Sequence, residues 1–507
     1  MMPLVRIQPQ PLSQLLQGFA EVPPAQDVAV CGVDSDSRRL RAGAAFLACV
    51  SQDGKRHGLE HLEASLQRGI AALLWEPQAG REPPSLDMPV VAVQELARHA
   101  GAIAARSLGD PSADLAVVGV TGTDGKTSVA HLLAQAKELL GGKSAYLGTL
   151  GYGALAQLAE ATHTTPDAVA MQHWLAWLRD NGFDSVAMEV SSHALDQGRA
   201  DAVHFNIALL TNLSRDHLDY HGDEQRYQAA KRRLFDMPSL DAAVLNQDDP
   251  VGNRWLGELQ TQGVHTVAFG RGSVPDARAD AWVLGQIHTA SDGLRLEIDS
   301  AWGRGAVDAA LLGDFNAMNL LAVIAVLLQS GYAFEDVLAV VPQLRAVPGR
   351  MERVLRTASG ALVVVDYAHT PKALESALKT LRDHVAGQLI CVFGCGGDRD
   401  RGKRPLMGAA AEAHADRLFI TDDNPRSEQP VAIVREILAG LQAPKNAVVI
   451  HDRRRAIAEA IKSAGAGDLV LVAGKGHEDY QIVGNERREF DDRAVVRALA
   501  GQEGAAC

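Results

Sequence analysis

An α/β fold with parallel sheets covered by helices is predicted for this 507-residue chain. Three features predict it. Apolar strands alternate with amphipathic helices, polar motifs follow the strands, and a glycine-rich turn joins one strand to a helix. The composition agrees: 47% apolar and 22% charged residues suit a globular chain and are too apolar for a mainly disordered one. Aromatics are only 5%, so the cores must be built from Ala, Val and Leu. At roughly 150 residues per domain, the length predicts three to four domains.

A net charge of −13 argues against general nucleic-acid binding, which leaves a basic footprint. It does not exclude anionic ligands held by local basic loops. Five cysteines, odd in number and widely spread, argue against a disulfide framework. Cys391 and Cys395 have no second ligand pair nearby, so no zinc site is expected. Met1–Gln17 lacks the basic-then-apolar pattern of a signal peptide. The longest apolar run, Leu320–Leu328, is too short to span a bilayer. A cytoplasmic enzyme or binding protein is expected, without a membrane or nucleic-acid partner.

Two turn-rich breaks, Leu108–Asp114 and Arg345–Arg350, set the predicted domains at 1–112, 113–345 and 346–507. The first segment carries short strands at Ala44–Val50, Ile70–Leu74 and Pro89–Val93. The second carries Leu115–Val120, Ser185–Val190, Ile207–Thr211 and Ala242–Leu245. The third carries Ala361–Asp366, Leu389–Phe393, Arg417–Thr421, Ala447–His451 and Leu469–Ala473. In parallel sheets ligands bind beyond the carboxyl ends of the strands, so the residues after these strands are the candidates.

The strongest signal is LAVVGVTGTDGKTS at Leu115–Ser128. A buried strand leads into a turn and then a helix, read from Val129, Leu132, Leu133, Ala136 and Leu140 on one face. Gly122 and Gly125 let backbone N–H groups of the Thr123, Asp124 and Ser128 region approach phosphate. Lys126 reaches the terminal phosphates, and the Thr127 hydroxyl suits Mg²⁺. The eight-residue phosphate-loop pattern would place Gly at Val120, so the match is to the variant Gly-Thr-x-Gly-Lys-[Thr/Ser].

Glu189 ends the next polar strand, and His217 lies in NLSRDHLDYHG after the following one. Oxygen and imidazole ligands at neighbouring strand ends suit Mg²⁺ bridging ATP and an acceptor. Lys231 sits on a predicted helix just beyond. By spacing alone it reads as a solvated lysine. Gly313–Asn319 opens an apolar helix, where Asn319 either caps a turn or reads an adenine edge. In the last segment Arg399, Asp423, Arg426 and Glu478 follow three strands on one rim. Their mixed charge suits a zwitterionic ligand as well as a solvated salt-bridge cluster.

GTDGKTS, EVSSH, NLSRDHLDYHG, DYAHTP and GKGHEDYQ occur in this order over nearly the whole chain. In this the chain resembles the Mur ligases of cell-wall synthesis. The resemblance implies a UDP-binding first domain, a P-loop ATPase-like central domain and a Rossmann-like last domain that brings the amino acid. It implies ATP contacts that include Asn319, Arg350 and Asp366, and UDP-muramyl-dipeptide contacts at Ser37, Thr164, Thr165, Ser191, Gln197 and Arg199. It further implies a diaminopimelate pocket of Arg399, Asp423, Asn424, Pro425, Arg426, Gly474 and Glu478. Lys231 matches the position that the family carbamylates, so the implied metal set is Thr127, Glu189, His217 and Lys231. Lys126, Lys231 and His217 are the implied catalytic residues.

The implied activity is ATP-dependent addition of meso-diaminopimelate to UDP-N-acetylmuramoyl-L-alanyl-D-glutamate through an acyl phosphate, with Mg²⁺ and by a monomer. The alternatives are an L-lysine-adding homologue, a folylpolyglutamate-synthetase-like ligase, or a nucleotide-regulated switch without chemistry. Asp124 stands where the family commonly has Asn, and is expected to point away from phosphate or toward Mg²⁺. His163 also replaces a common Asn, and Ser51–Asp53 receives no uridine contact.

Overall fold

The computed structural model describes residue 5, residues 7–272 and residues 275–504. The chain divides into two compact units. One is Met1–Gly270 with Val274–Val283 and Ala322–Ala333; the other is Arg271–Ser273 with Leu284–Leu321 and Phe334–Cys507.

In the first unit β1 (Gln10–Pro11) and β2 (Ala29–Val30) form a short antiparallel pair. Four parallel strands follow: β3 (Val33–Asp34), β4 (Ala45–Ala48), β5 (Ala72–Trp75) and β6 (Val90–Ala92). They pair in chain order. Their core of Val33, Ala45, Leu47, Leu74 and Ile103 also takes in Val169 from the helix Ala168–Asp180. That helix starts at Asp167, whose Oδ1 accepts from Ala170 N at 2.9 Å. Asp167 also receives Arg39 Nη1 at 2.9 Å, and Arg39 Nη2 reaches Asp34 at 2.9 Å.

The central strands are β7 (Ala116–Thr121), β8 (Ser144–Gly148), β9 (Gly151–Ala154), β10 (Gln157–Ala159), β11 (Ser185–Glu189), β12 (Ile207–Leu210), β13 (Ala242–Asn246) and β14 (Thr266–Arg271). Their order is β10-β9-β8-β11-β7-β12-β13-β14. The strands from β8 to β14 in this order run parallel, and β9 and β10 close the edge as antiparallel turns of chain. β7 is central and nearly all buried, as expected of a strand covered on both faces. A Cβ on Gly119 would press on the Phe205 ring at 2.8 Å, so the strand carries glycine where that ring packs.

β15 (Ala281–Ala290) has residues in both units. In the second unit β16 (Gly293–Ser300) and β17 (Gly303–Ala309) form an antiparallel hairpin. The strands β18 (Glu352–Arg356), β19 (Leu362–Asp366), β20 (Leu389–Phe393), β21 (Arg417–Ile420), β22 (Val448–Val449) and β23 (Leu469–Ala473) form a sheet ordered β18-β19-β23-β20-β21-β22. All pairs but β18–β19 are parallel. Side chains alternate between two cores: Leu362, Val364, Cys391 and Phe393 on one face, Val363, Val365, Ile390 and Val392 on the other. β24 (Tyr480–Val483) and β25 (Glu486–Glu489) make a small hairpin.

Every strand expected in the three segments is present, within a few residues. The largest trims are at Ala44–Val50, a strand over Ala45–Ala48, and Ala447–His451, which pairs only over Val448–Val449, exposed at the sheet edge. The antiparallel strands at 281–309 and 480–489 were not expected. Gly293–Ser300 alternates buried Leu294, Leu296 and Ile298 with polar residues, a one-sided strand pattern rather than the continuous apolar run of the parallel strands. Leu320–Leu328 lies inside the helix Asp314–Gln329, and among the described residues no helix is long and apolar enough to cross a membrane. Cys391 and Cys395 are buried, and Cys395 Sγ lies 3.9 Å from Met407 Sδ.

Candidate active site

In the first unit the site is built on the turn after β7. Gly122 and Gly125 adopt φ of +145° and +84°, conformations that favour glycine. A Cβ on Gly122 would collide with the Thr211 hydroxyl. The helix Lys126–Leu139 begins immediately after, so its unpaired N–H groups and positive dipole end face the turn. The loop is held from β12: Asn212 Oδ1 accepts from Asp124 N at 3.0 Å, and Thr211 Oγ1 donates to Asp124 O at 2.6 Å. The Asp124 side chain is exposed.

Two lysines converge on one carbonyl. Lys126 Nζ donates to Gly122 O at 2.8 Å and to Thr123 O at 2.7 Å. Lys231 Nζ, 1% exposed, donates to the same Gly122 O at 2.7 Å. Lys231 is therefore not the solvated lysine that its spacing suggested. Burial, then repulsion from Lys126, pushes its pKa well below the usual lysine range. Lys126 is thus the cation that this turn offers to anionic oxygen, with a buried amine beside it whose charged form is disfavoured.

Glu189, at the end of β11, is buried and richly bonded. Its Oε2 accepts from Thr127 Oγ1 at 2.9 Å and Thr149 Oγ1 at 3.3 Å. Its Oε1 accepts from Thr149 N at 2.9 Å and from the Tyr146 phenol. A hydroxyl and a carboxylate at the helix start form a hard oxygen donor set that fits Mg²⁺ alongside nucleotide phosphates. Among the described residues no group of three or more His, Cys, Asp or Glu side chains could hold a metal without such help. His217 has φ +51° and is half-exposed, with Asp216 Oδ2 3.4 Å from its Nε2. Its ring is 6.3 Å from that of Tyr227, whose hydroxyl lies 3.0 Å from Thr123 Oγ1.

Of the expected UDP-muramyl contacts, Thr164, Thr165, Ser191 and Arg199 gather beside Glu189. Thr165 Oγ1 donates to Glu189 O at 2.9 Å and accepts from Ser191 N at 3.0 Å. Thr164 Oγ1 accepts from Thr149 at 3.1 Å, and Arg199 Nη1 donates to Thr165 O at 3.3 Å. Gln197 and Arg199 line a cleft of about 750 Å³ with Ser35, Gln52 and Asp167. Ser35 lies two residues before Ser37, in the turn that Arg39 ties to Asp167. Gln52, in the segment that received no contact from sequence, donates to the Tyr220 hydroxyl at 2.8 Å.

In the second unit three loops after β20, β21 and β23 meet. Asn424 Nδ2 donates to Glu478 Oε2 at 3.0 Å. Lys475, fully buried, lies 3.4 Å from Asp423 Oδ1 and 3.5 Å from Glu478 Oε2, and donates to Asn424 Oδ1 at 3.1 Å. Arg426 takes φ +52° and donates from Nη1 to Gly397 O at 2.8 Å. A Cβ on Gly396 would lie 2.9 Å from that Arg426 nitrogen and 3.7 Å from Arg399 Cγ, so the two arginines flank this glycine. Gly474, at φ +117°, leaves room for the Asp423 carboxylate. Pro425 precedes Arg426 in the chain, with its carbonyl against Gly397.

Two buried arginines brace the loops. Arg404 binds Glu428 at 2.7 Å and Glu436 at 2.8 Å and donates to Gly396 O at 3.1 Å. Arg453 binds Asp492 at 2.7 Å and donates to Ala473 O at 3.0 Å. Sequence reasoning missed Lys475, Arg404, Arg453, Tyr146 and Thr149. Only Lys475 lay inside one of the motifs above, GKGHEDYQ; the others sit in ordinary strand, turn and helix positions.

Of the implied nucleotide contacts outside the loop, Asp366 accepts from Met351 N and Ala368 N, each at 2.8 Å, and burial raises its pKa. Arg350 is exposed. Asn319 is buried and donates to Asn316 Oδ1 at 3.1 Å.

A phosphate cradle on a parallel sheet, with a polar cleft beside it and a Rossmann-like unit bearing a mixed-charge pocket, is the frame of an ATP-dependent amide-bond-forming ligase. Comparison with known proteins narrows the class. The Mur ligase middle domain matches residues 120–327, and the Mur ligase, glutamate ligase domain matches residues 349–476. A UDP-N-acetylmuramoyl-L-alanyl-D-glutamate–2,6-diaminopimelate ligase of Alkalilimnicola ehrlichii is 47% identical over 506 residues, 97% of this chain and 99% of that protein. A solved structure of a ligase with the same name is 35% identical with TM-score 0.77, covering 98% of this chain and 100% of that one. MurF ligase from Thermotoga maritima in complex with ADP shares the fold, with TM-score 0.57 at 17% identity over 93% of this chain and 96% of that one. The chain belongs to the Mur ligase family.

Proposed function

We propose that this chain adds meso-diaminopimelate to UDP-N-acetylmuramoyl-L-alanyl-D-glutamate, using ATP, in peptidoglycan precursor synthesis in the cytoplasm. The observation that carries the reading is the convergence of Lys126 and Lys231 on the Gly122 carbonyl beside the Thr127–Glu189 pair. The relatives' names supply the substrates. Residues 1–112 and 113–345 would hold the UDP-muramyl dipeptide and ATP, and residues 346–507 the amino acid.

The substrate's D-glutamyl side-chain carboxylate attacks the terminal phosphorus of ATP, and ADP leaves. The amine of diaminopimelate then attacks the acyl phosphate, an amide bond forms, and phosphate departs with its bonding electrons. Positioning and charge neutralisation account for the protein's part. Lys126 offsets charge on the transferring phosphoryl group. Thr127, Glu189, His217 and a carbamylated Lys231 would hold Mg²⁺, which supplies further charge neutralisation when bound. The lowered Lys231 pKa keeps a neutral amine available to attack CO₂, giving a carbamate and a released proton. A free ammonium there would instead repel the metal.

Diaminopimelate differs from lysine by a second carboxylate beside its distal ammonium. Arg426 and Arg399 offer cations for that carboxylate, and Glu478 an acceptor for the ammonium. Lysine would leave these arginines without that anion, so diaminopimelate is expected to be preferred. Phosphate release should require both the UDP-muramyl dipeptide and the amino acid. kcat/KM for diaminopimelate and lysine in wild type and Arg426→Ala tests the assignment: equal use of both by the wild type would refute the amino-acid substrate.

A further inference from the structure

Glu189 serves the metal reading above, but its geometry is set by a residue that plays no part there. Tyr146 lies on β8, fully buried, and β8 runs parallel beside β11 with Met188 opposite Leu147. This register places the Tyr146 ring just before the end of β11, where Glu189 sits. The phenol donates to Glu189 Oε1, and Leu150 N donates to the phenol oxygen at 3.3 Å. With an acceptor site of the phenol oxygen so engaged, its O–H is aimed at the carboxylate.

The carboxylate is thereby divided. Oε1 faces the β8 side, held by Tyr146 and Thr149 N. Oε2 faces the phosphate loop, held by Thr127 and Thr149 hydroxyls. Gly148 makes this possible, because a Cβ there would collide with both Glu189 Oε1 and the Tyr146 hydroxyl. A hydrogen bond from a phenol to a carboxylate is of the strong, charge-assisted kind.

We propose that Tyr146 is a positioning residue whose phenol locks the Glu189 carboxylate with Oε2 toward Thr127, and so sets the divalent-cation affinity of the phosphate-loop site. This rests on the reading of Glu189 as part of that cation site. Partners that orient a metal-binding carboxylate typically contribute 10–100-fold in affinity. The direction follows from geometry: without the phenol, Oε1 keeps only its Thr149 N bond, so the carboxylate is held less firmly with Oε2 toward the loop.

The test uses the full chain with ADP and Mn²⁺ as probe, counting free Mn²⁺ by electron paramagnetic resonance. Tyr146→Phe and Glu189→Gln are measured beside wild type, together with ADP binding in the absence of metal. The expected result is about tenfold weaker Mn²⁺ binding for Tyr146→Phe, a loss at least as large for Glu189→Gln, and unchanged metal-free ADP affinity for Tyr146→Phe. Unchanged Mn²⁺ affinity in Tyr146→Phe with a loss in Glu189→Gln overturns the positioning role alone. Unchanged affinity in both overturns the assignment of Glu189 to the cation site. Weakened metal-free ADP binding in Tyr146→Phe would show that the phenol supports the loop as a whole, and would also overturn the proposal.

Discussion

The phosphate-loop site and the amino-acid pocket carry cations in opposite ways. At the loop, Lys126 and Lys231 donate to backbone carbonyls of a single turn. At the pocket, Lys475, Arg404 and Arg453 have fully buried side chains and each pairs with carboxylates. The first arrangement turns Lys126 into the phosphate turn as a cation, beside a buried Lys231 amine whose charged form is disfavoured. The second neutralises its buried cations from within, and what it offers a ligand is shape and the Arg399 and Arg426 side chains that flank Gly396. A site for a polyanion needs net charge; a site for a zwitterion needs ordered charge. It follows that single substitutions at the loop should act on chemistry, and those under the pocket on stability as well.

The largest expected effect is at the loop. Lys126→Ala removes a cation from the terminal phosphates and should lower kcat by roughly 10²–10⁴-fold, with little change in melting temperature. Steady-state kinetics at saturating ATP and a thermal melt check both halves. Near-normal turnover would break the contrast at its stronger end.

Next is Arg453→Met. The Arg453–Asp492 pair is completely buried, so removing the arginine strands an uncompensated carboxylate. Breaking such a pair costs about 3–5 kcal/mol. Denaturant unfolding should show that loss, and replacing both partners by apolar residues should recover much of it. A variant as stable as wild type would mean that the pocket's charges are not structural.

The same contrast explains what could be read from sequence. The loop site is contiguous: Gly122, Gly125, Lys126 and Thr127 lie within one turn, and glycine spacing encodes backbone conformation directly. Most parallel strands were legible because burial on both faces makes them continuous apolar runs, although Ser144–Gly148 and Thr266–Arg271 were not among those expected. The hairpin at 293–309 was not, since Arg295, Glu297, Arg304 and Asp308 stand on its open face. The pocket's bracing was illegible for a different reason. Arg404 and Glu436 are 32 residues apart, and Arg453 and Asp492 are 39 apart. No local pattern distinguishes these arginines from surface ones; only the tertiary fold buries them. Lys231 misled in the same way, its neighbours Arg232 and Arg233 suggesting a solvated helix face.

Acid should separate the two regions, with the smallest of these effects. His131 sits on the helix that follows the phosphate loop, and burial pushes its pKa down to about 4. Its unfolded value is near 6.5, so the folded state excludes a proton that the unfolded state accepts. Its contribution is therefore complete above pH 6.5 and lost as pH falls toward 4. At pH 5 the loss is about 2 kcal/mol. Glu428, paired with buried Arg404, behaves differently: its carboxyl is held at about 2, so its stabilisation is present above 4.5 and survives until far lower pH. Five of the six tryptophans, Trp75, Trp174, Trp177, Trp255 and Trp282, belong to the first unit, so intrinsic fluorescence reports on it. Acid titration should show that signal change between pH 6 and 4, and His131→Asn should move the midpoint to lower pH. A midpoint that does not move would mean that His131 finds a compensating partner when charged, and the first unit's sensitivity to acid would have to come from another buried group such as His173, also pushed down to about 4.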